Sequence, residues 1–562
     1  MANSLSAEQP ISHADENSTL LQFKQSFSID KSTSSDPLHH GSSKEIVVIA
    51  AHGMASNAIR RRVILREFPN FLRFQDKLCV LSLAENKIHG EIMAWMWNTS
   101  VETLAWLSLR NNFLTGFEQQ PDILPWDNLG ELDLSYNRLQ GPLPIPPLST
   151  SFYSVSYNRL TGELPPLICR LSSLYVLNLS NNNLTGTILP CLSNFSDSLK
   201  VLNLKGNNFQ GPIPHSYNRG NKLKMIDYSG NQLQGKVPGS LASCTELEIL
   251  DLSNNLIDDR FPLWLGDLTK LQGPLPIPPL STCSYSVSHN GLTGELPPLI
   301  CQLSSLYVLD LSNNNLTGTI LPCLSNFSDS LKVLNLKGNN FQGPIPHSYN
   351  RGNKLKMIDF SDNKLQGKVP RSLASCTDLE ILDLSNNLID NTFPLWLGDL
   401  TKLQVLILRS NKFYGAIGNP KIKLELPNLH IIDLSHNGFT GDLPSKYFQN
   451  WNAVKFFDVD KMKYMDTIIE VHTNNDIWGD GYWYTMNITN KGVNTEYQEI
   501  LNIFTVIDLS SNKFEGLIPE FIGNLKGLKL LNLSNNNLNG GIPSCFGNLT
   551  NLESLDLSQN KL

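Results

Sequence analysis

Between Ser445 and Leu501 the chain is crowded with aromatic side chains, among them Tyr447, Phe448, Trp451, Phe456, Phe457, Trp478, Tyr482, Trp483 and Tyr484. Flat rings with a polar tip make strong contacts at recognition surfaces. Trp478, Tyr482, Trp483 and Tyr484 are therefore the candidate ligand-binding residues. The same rings could instead form a small core that holds the segment onto its neighbours. Either way the stretch is too aromatic for a disordered insert.

The other reactive residue types do not converge on catalysis. No nucleophile–base pair, phosphate loop, CxxC pair or HExxH phrase occurs, so no cofactor or metal is implied and the chain reads as non-enzymatic. His215 and His347 sit in the repeated phrase GPIPHSYNRGNK and read as solvated loop positions. The nine cysteines are too few and too widely spaced for a small disulfide scaffold. Cys169 and Cys191, copied as Cys301 and Cys323, fall on adjacent coils and could pair in an oxidising compartment. Cys244 and Cys376 occupy leucine positions and read as small hydrophobes.

A net charge of −7 over 562 residues is mild, and no basic stripe points to nucleic acid. Arg60, Arg61 and Arg62 read as a short solvated cluster. The polar N-terminus has no apolar signal region, and Ile46–Ala51 is far too short to span a bilayer.

What positions these residues is a repeat. LDLSYNRLQGPLP begins at Leu132, LNLSNNNLTGTI at Leu177, LNLKGNNFQGPIP at Leu202 and IDLSSNKFEGLIP at Ile507. The frame is LxLxxNxLxGxIP with a period near 24 residues, and about 18 such strand cores occur. Alternation in LDL sends leucines inward and the Asp outward on a short strand. One coil cannot bury its own leucines, so coils must stack. The Asn after each strand (Asn137, Asn182, Asn207, Asn411, Asn512) can bond backbone groups of its own and the adjacent coil. Glycine relieves the following bend and proline stops the ladder. The frame, with its LxGxIP half, resembles the plant-type leucine-rich repeat from about Asp76 onward, and the fold so implied is an α/β leucine-rich-repeat solenoid, a curved right-handed superhelix with a parallel concave sheet. The outward aspartates Asp133, Asp251, Asp433 and Asp508 read as solvated strand positions.

Residues 140–271 recur as 272–403 with 13 differences in 132 positions, an internal duplication. At its seam LTKLQ runs into GPLPIPP, whereas at Leu400 it runs into the strand VLILRSN. Asn255 to Asn290 consequently spans 35 residues, and one whole strand is missing. The expectation is that the strand at Leu250 pairs directly with the strand at Tyr285, with Pro262–Thr282 bulging outward.

The phrases FPLWLGDLTKLQVLILRSNKFYGAI, PNLHIIDLSHNGFTGDLPSKYFQNW, NKGVNTEYQEIL and IDLSSNKFEGLIPEFIGNLKGL resemble plant leucine-rich-repeat receptor-like proteins of the disease-resistance type, which lack a kinase. The resemblance implies domains at 1–75 (an atypical N-terminal region), 76–444 (repeats), 445–504 (an island domain) and 505–562 (repeats), and the family's Lys-Gly phrase near the island's end adds Lys491 and Gly492 to the ligand-binding candidates. It implies a plasma-membrane, outward-facing ectodomain that binds a peptide, protein or oligosaccharide ligand and signals through co-receptor and adaptor receptor kinases. Ser18–Asp30 resembles the helix of the family's N-terminal cap without its cysteines, and the chain stops at LDLSQNKL. Read so, the array is truncated at both ends, with open sheet edges near Val80 and Leu557. Sequons head Asn98, Asn178, Asn183, Asn194, Asn315, Asn326, Asn487, Asn532 and Asn548, although NLS and NLT also arise from the repeat frame. The alternatives are a secreted protein similar to polygalacturonase inhibitors, or a non-functional truncated gene product.

Overall fold

A computed structural model describes residues 45–48 and 64–562, except 196–197, 219, 259–280, 328–329, 419–425, 446–450, 456–465, 469–470, 473–476, 479–480, 491–492, 498–500 and 502. The chain divides into two compact units, Met1–Phe209 and Gln210–Leu562.

In the first unit the strand of each coil pairs in parallel with the next: Leu78–Ser82, Trp106–Ser108, Glu131–Asp133, Phe152–Ser154, Val176–Asn178 and Val201–Asn203. Central residues such as Leu107, Leu132, Tyr153 and Leu177 are buried, while the flanking positions face outward, as a period of two requires. The edge expected to lie open at Val80 is covered: Glu45–Val48 adds a parallel strand, with Ile46 opposite Val80. The backbone donors and acceptors of that edge are thus satisfied within the chain.

The second unit repeats the pattern from Met225–Asp227 to Ser554–Asp556. Two irregularities are bridged without loss of register. At the seam, Ile249, Leu250 and Asp251 pair with Ser284, Tyr285 and Ser286, the direct pairing expected from the missing strand. The surplus segment of the seam lies outside the described residues, apart from its last two positions. Across the aromatic insert, Ile431–Asp433 pairs with Val506–Asp508. The terminal strand Ser554–Asp556 pairs on one side, with Leu530–Asn532, and its Leu555 is 46% exposed where equivalent leucines are buried.

The other side of many coils carries a short 3-10 turn entered through proline, such as Pro166–Arg170 and Pro298–Gln302. Proline's fixed φ suits that first helical position. These turns carry the two expected disulfides, Cys169–Cys191 and Cys301–Cys323. Cys244 and Cys376 are buried free thiols, each facing an asparagine amide at 3.2 Å. Burial pushes their thiols up to about 11 and about 12, so both stay protonated, as small hydrophobes should. Among the described residues no helix is long and apolar enough to cross a membrane.

Asparagine joins the coils. Asn182 Nδ2 donates to the carbonyls of Val155 in the preceding coil and of Leu179 and Ser180 in its own, at 3.0 to 3.2 Å. Its Oδ1 accepts from the Leu160 amide at 3.0 Å. Asn290 does the same across the seam, and Asn512 across the insert. Replacing Asn182 by Leu strands these four groups at roughly 1 kcal/mol each, so local stability should fall by about 4 kcal/mol. Hydrogen exchange at the Leu160 amide should report that loss, and Asn183→Ala, at an exposed neighbour, should leave it unchanged.

Candidate functional site

Two rows of side chains face outward from the sheet of the second unit. The first residue of each strand builds an apolar row: Val308, Val333, Met357, Ile381, Val405, Ile431, Val506 and Leu530. The third builds an acidic one, with Asp310, Asp359, Asp383, Asp433 and Asp508. An apolar row on an open face would remain in water. Here it is covered by the insert.

The insert folds into short antiparallel pairs: Asp466–Ile468 with Gly481–Trp483, Val471–His472 with Ile477–Trp478, and Met486–Asn490 with Val493–Tyr497. Tyr484, Met486 and Ile488 alternate along the chain and so share one side, which packs against the apolar row as a single buried cluster. Tyr482, Tyr497 and Phe504 close its margin. Burying each of the three central side chains contributes roughly 1.5–3 kcal/mol, an upper estimate. At the insert's start, Trp451 and Val454 are buried, and Val454 accepts from the Gly527 amide at 2.8 Å. A Cβ at Gly527 would meet that same carbonyl, which explains the glycine.

One polar clamp fixes the position. The Tyr482 hydroxyl donates to Asp310 Oδ2 at 2.9 Å and accepts from Asn335 Nδ2 at 2.9 Å. Asp310 is one of the few positions where the duplicated segments differ, its first-copy counterpart being Asn178.

The acids of the neighbouring row are buried as well, and the insert touches one of them, Asp310, through Tyr482. Asp433 and Asp508 are 3% and 2% exposed, which corrects the expectation that they are solvated. Asp133 and Asp251 remain partly exposed. Asp433 accepts from the Ser435 amide and hydroxyl, yet burial, and then the charge of Asp508 on the next strand, push it up to about 7. Burial pushes Asp359 up to about 6, partly offset by Lys337, and its Oδ2 has no hydrogen-bond partner among the described residues. Asp383, Asp310 and Asp508 are also raised by burial.

The candidate contacts from the sequence therefore separate. Tyr484 is fully buried and offers no surface to a ligand, Tyr482 belongs to the clamp, and Trp483 is 41% exposed. The Trp478 side chain, and Lys491 and Gly492, lie outside the described residues. Of the sequons, Asn98, Asn183, Asn194, Asn315, Asn326 and Asn548 are exposed. Asn178 is not an open acceptor: it is buried in the outward row, its Oδ1 taken by Ser180, and the sequon there is a product of the repeat frame. Asn532 is similarly engaged by Ser534 and donates to Asp508. The Asn487 side chain lies outside the described residues. Sequence reading missed the apolar row as the insert's seat. The signal was present in the unbroken aliphatic series at strand starts and in the alternation of Tyr484, Met486 and Ile488.

Family models described as leucine-rich repeat match residues 197–257, 329–389 and 504–562, and 173–195, 305–327 and 428–450. The chain is 33% identical to Receptor-like protein 54 and 37% identical to Receptor-like protein 32, both of Arabidopsis thaliana, over 83% of its own length. It spans 41% and 35% of those two relatives. Among solved structures it is similar to PEPR1–AtPEP1 (TM-score 0.60, 26% identity, 88% of this chain and 67% of that one). It is also similar to the Arabidopsis receptor kinase HAESA ectodomain with an extended IDA peptide (TM-score 0.61, 25% identity, 88% and 76%). HAESA with IDA and the co-receptor SERK1 aligns at TM-score 0.50 and 26% identity, over 88% and 80%.

The raised aspartates give the packed insert a pH dependence. Each prefers its neutral form when covered, so the packed state holds protons that an opened chain has released. Packing should therefore weaken as pH rises from about 4 toward 7 and be strongest on the acid side. Limited proteolysis of residues 484–497 should accelerate between pH 5 and pH 8, relative to an unfolded standard. Asp433→Asn, which has no proton to lose, should flatten that profile.

Proposed function

Since the chain belongs to the plant leucine-rich-repeat receptor-like proteins and carries under half the length of its curated relatives, we propose that it is the ligand-recognition portion of a cell-surface immune receptor. It binds a peptide, a protein or a cell-wall fragment outside the cell and acts through partner receptor kinases. The observation that carries this reading is the insert seated on the outward face of the repeats. A hairpin held by side chains, with Trp483 left exposed at its edge, is a built recognition element on a rigid scaffold. Two disulfides and six exposed sequons support an oxidising, secretory setting.

The scaffold's own face is largely spent on holding the insert between Val308 and Leu530. Ligand contact in this region thus falls to the insert's outer surface, with Trp483 as its anchor. Co-receptor recruitment falls to the last repeats, the segment that carries Asn532, Leu533 and Ser534; the similar ectodomain of HAESA is solved with a co-receptor, SERK1.

The test is surface plasmon resonance on the full chain, probed with pooled extracellular plant peptides and with fractionated cell-wall digests. A saturable binder should emerge whose affinity falls at least tenfold in Trp483→Ala. Tyr482→Phe, which loses the bond to Asp310, should weaken binding while leaving the two disulfides intact. If no fraction binds, or if Trp483→Ala binds as well as the parent, the reading is wrong.

A further inference from the structure

The first unit carries a surface that the insert does not explain. Along one edge of its sheet, Tyr136 and Tyr157 stack face to face, with ring centroids 4.4 Å apart and planes 12° apart. The Arg110 guanidinium lies over Tyr136 at 5.0 Å, and that of Arg138 lies over Phe113 at 4.6 Å. Arg159 follows Asn158 as Arg138 follows Asn137, so the two arginines occupy the same place on neighbouring coils. All six side chains are exposed, Tyr136 by 42% and Tyr157 by 46%.

The edge is rigid. The Tyr136 amide donates to Ser156 and the Tyr157 amide to Ser180, both at 2.9 Å, which fixes each tyrosine to the next coil. Both tyrosines hold positive φ, 55° and 53°, in a position that other repeats fill mostly with Asn, Ser or Gly and otherwise with Glu, Asp, His or Gln. Bulky residues adopt that conformation only at a cost of order 1 kcal/mol or more. Asp133 feels the charge of Arg110 but spends its Oδ1 on Ser135 at 2.6 Å, and no ion pair joins it to Arg110 among the described residues.

The duplication supplies a comparison inside the same molecule. Tyr157 and Arg159 become His289 and Gly291 in the second copy, and Phe152 becomes Ser284. The asparagine ladder is intact there, with Asn290 making the bonds that Asn158 makes. The stack and the second arginine are therefore dispensable for the fold.

We infer that this edge of the first unit binds an acidic oligosaccharide bearing a carboxylate on each sugar, an oligouronide. Guanidinium groups pair with carboxylates in a planar, bidentate fashion, and the ring faces of Phe113 and Tyr157 take the apolar faces of sugars. Arg138 and Arg159 stand on neighbouring coils, whose strands lie about 4.8 Å apart, and exposed aromatic faces lie beside them, a pairing of charge with flat apolar surface that suits an acidic sugar. The patch is also cationic on a chain whose net charge is −7, so a polyanion is drawn to it rather than to the surface at large. This narrows the ligand class of the receptor reading and rests on it for biological meaning, although the site itself lies wholly within the first unit.

Isothermal titration of the full chain with a galacturonate oligomer, at low and moderate salt, tests the inference. Saturable binding that weakens with salt is expected. It should drop at least tenfold in Tyr157→His/Arg159→Gly, a pair of residues that the second copy already accommodates, and again in Arg138→Gln. Thermal melting of both variants should match the parent. Absence of binding, equal binding by the variants, or equal binding of a neutral glucan would overturn it. Polyglutamate bound as tightly, with the same sensitivity to the variants, would make the edge a peptide surface and overturn it too. Trp483→Ala separates this site from the island: it should leave galacturonate binding unchanged even if it abolishes binding of the receptor's other ligand.

Discussion

Every coil of this protein leaves a set of backbone donors and acceptors facing the interior where the strand ends. The asparagine that follows each strand is what satisfies them. Its amide reaches three carbonyls and its oxygen accepts one amide, half of these bonds crossing to the neighbouring coil. Buried polar groups left unpaired cost more than most single contacts contribute. The ladder therefore fixes the spacing of the coils, and with it the registry of the strands and the straight rows that their outward side chains form. Both the seat of the island and the arginine–tyrosine edge are consequences of those rows.

The island shows how a scaffold face can be converted from a binding surface into a foundation. Aliphatic residues at the strand starts would be a liability in water. Tyr484, Met486 and Ile488 cover them, and the aspartates of the neighbouring row are buried beside them, Asp310 directly beneath the Tyr482 hydroxyl. Sealing carboxylates in this way opposes the hydrophobic gain unless they take up protons, so adhesion of the island and acidity of the medium are coupled. The Tyr482 hydroxyl supplies direction, because it is satisfied by one donor and one acceptor on adjacent strands.

The seam makes a related point about tolerance. A missing strand and an insertion of more than fifty residues are both absorbed without breaking the ladder, since Asn290 and Asn512 reach back to coils 38 and 78 residues earlier. Contacts in a stacked array are between nearest neighbours, so the chain can leave and return as long as the returning strand finds the open edge. The strand Glu45–Val48 follows the same logic at the other extreme: any extended segment with free backbone groups can finish the sheet.

Much of this was legible in the residues. The leucine alternation, the asparagine, the duplicated segment, the direct pairing across the seam and the two disulfides follow from spacing, because each depends on contacts within a coil or with the next one. The burial of Asp433 and Asp508, the withdrawal of Tyr484 from any ligand, the covering of Val80 and the stacking of Tyr136 on Tyr157 did not follow. They depend on which side chains meet after segments distant in sequence have been folded back, or on where a backbone with positive φ aims a ring. Periodicity states which way a residue points; only the assembled structure states what it meets there.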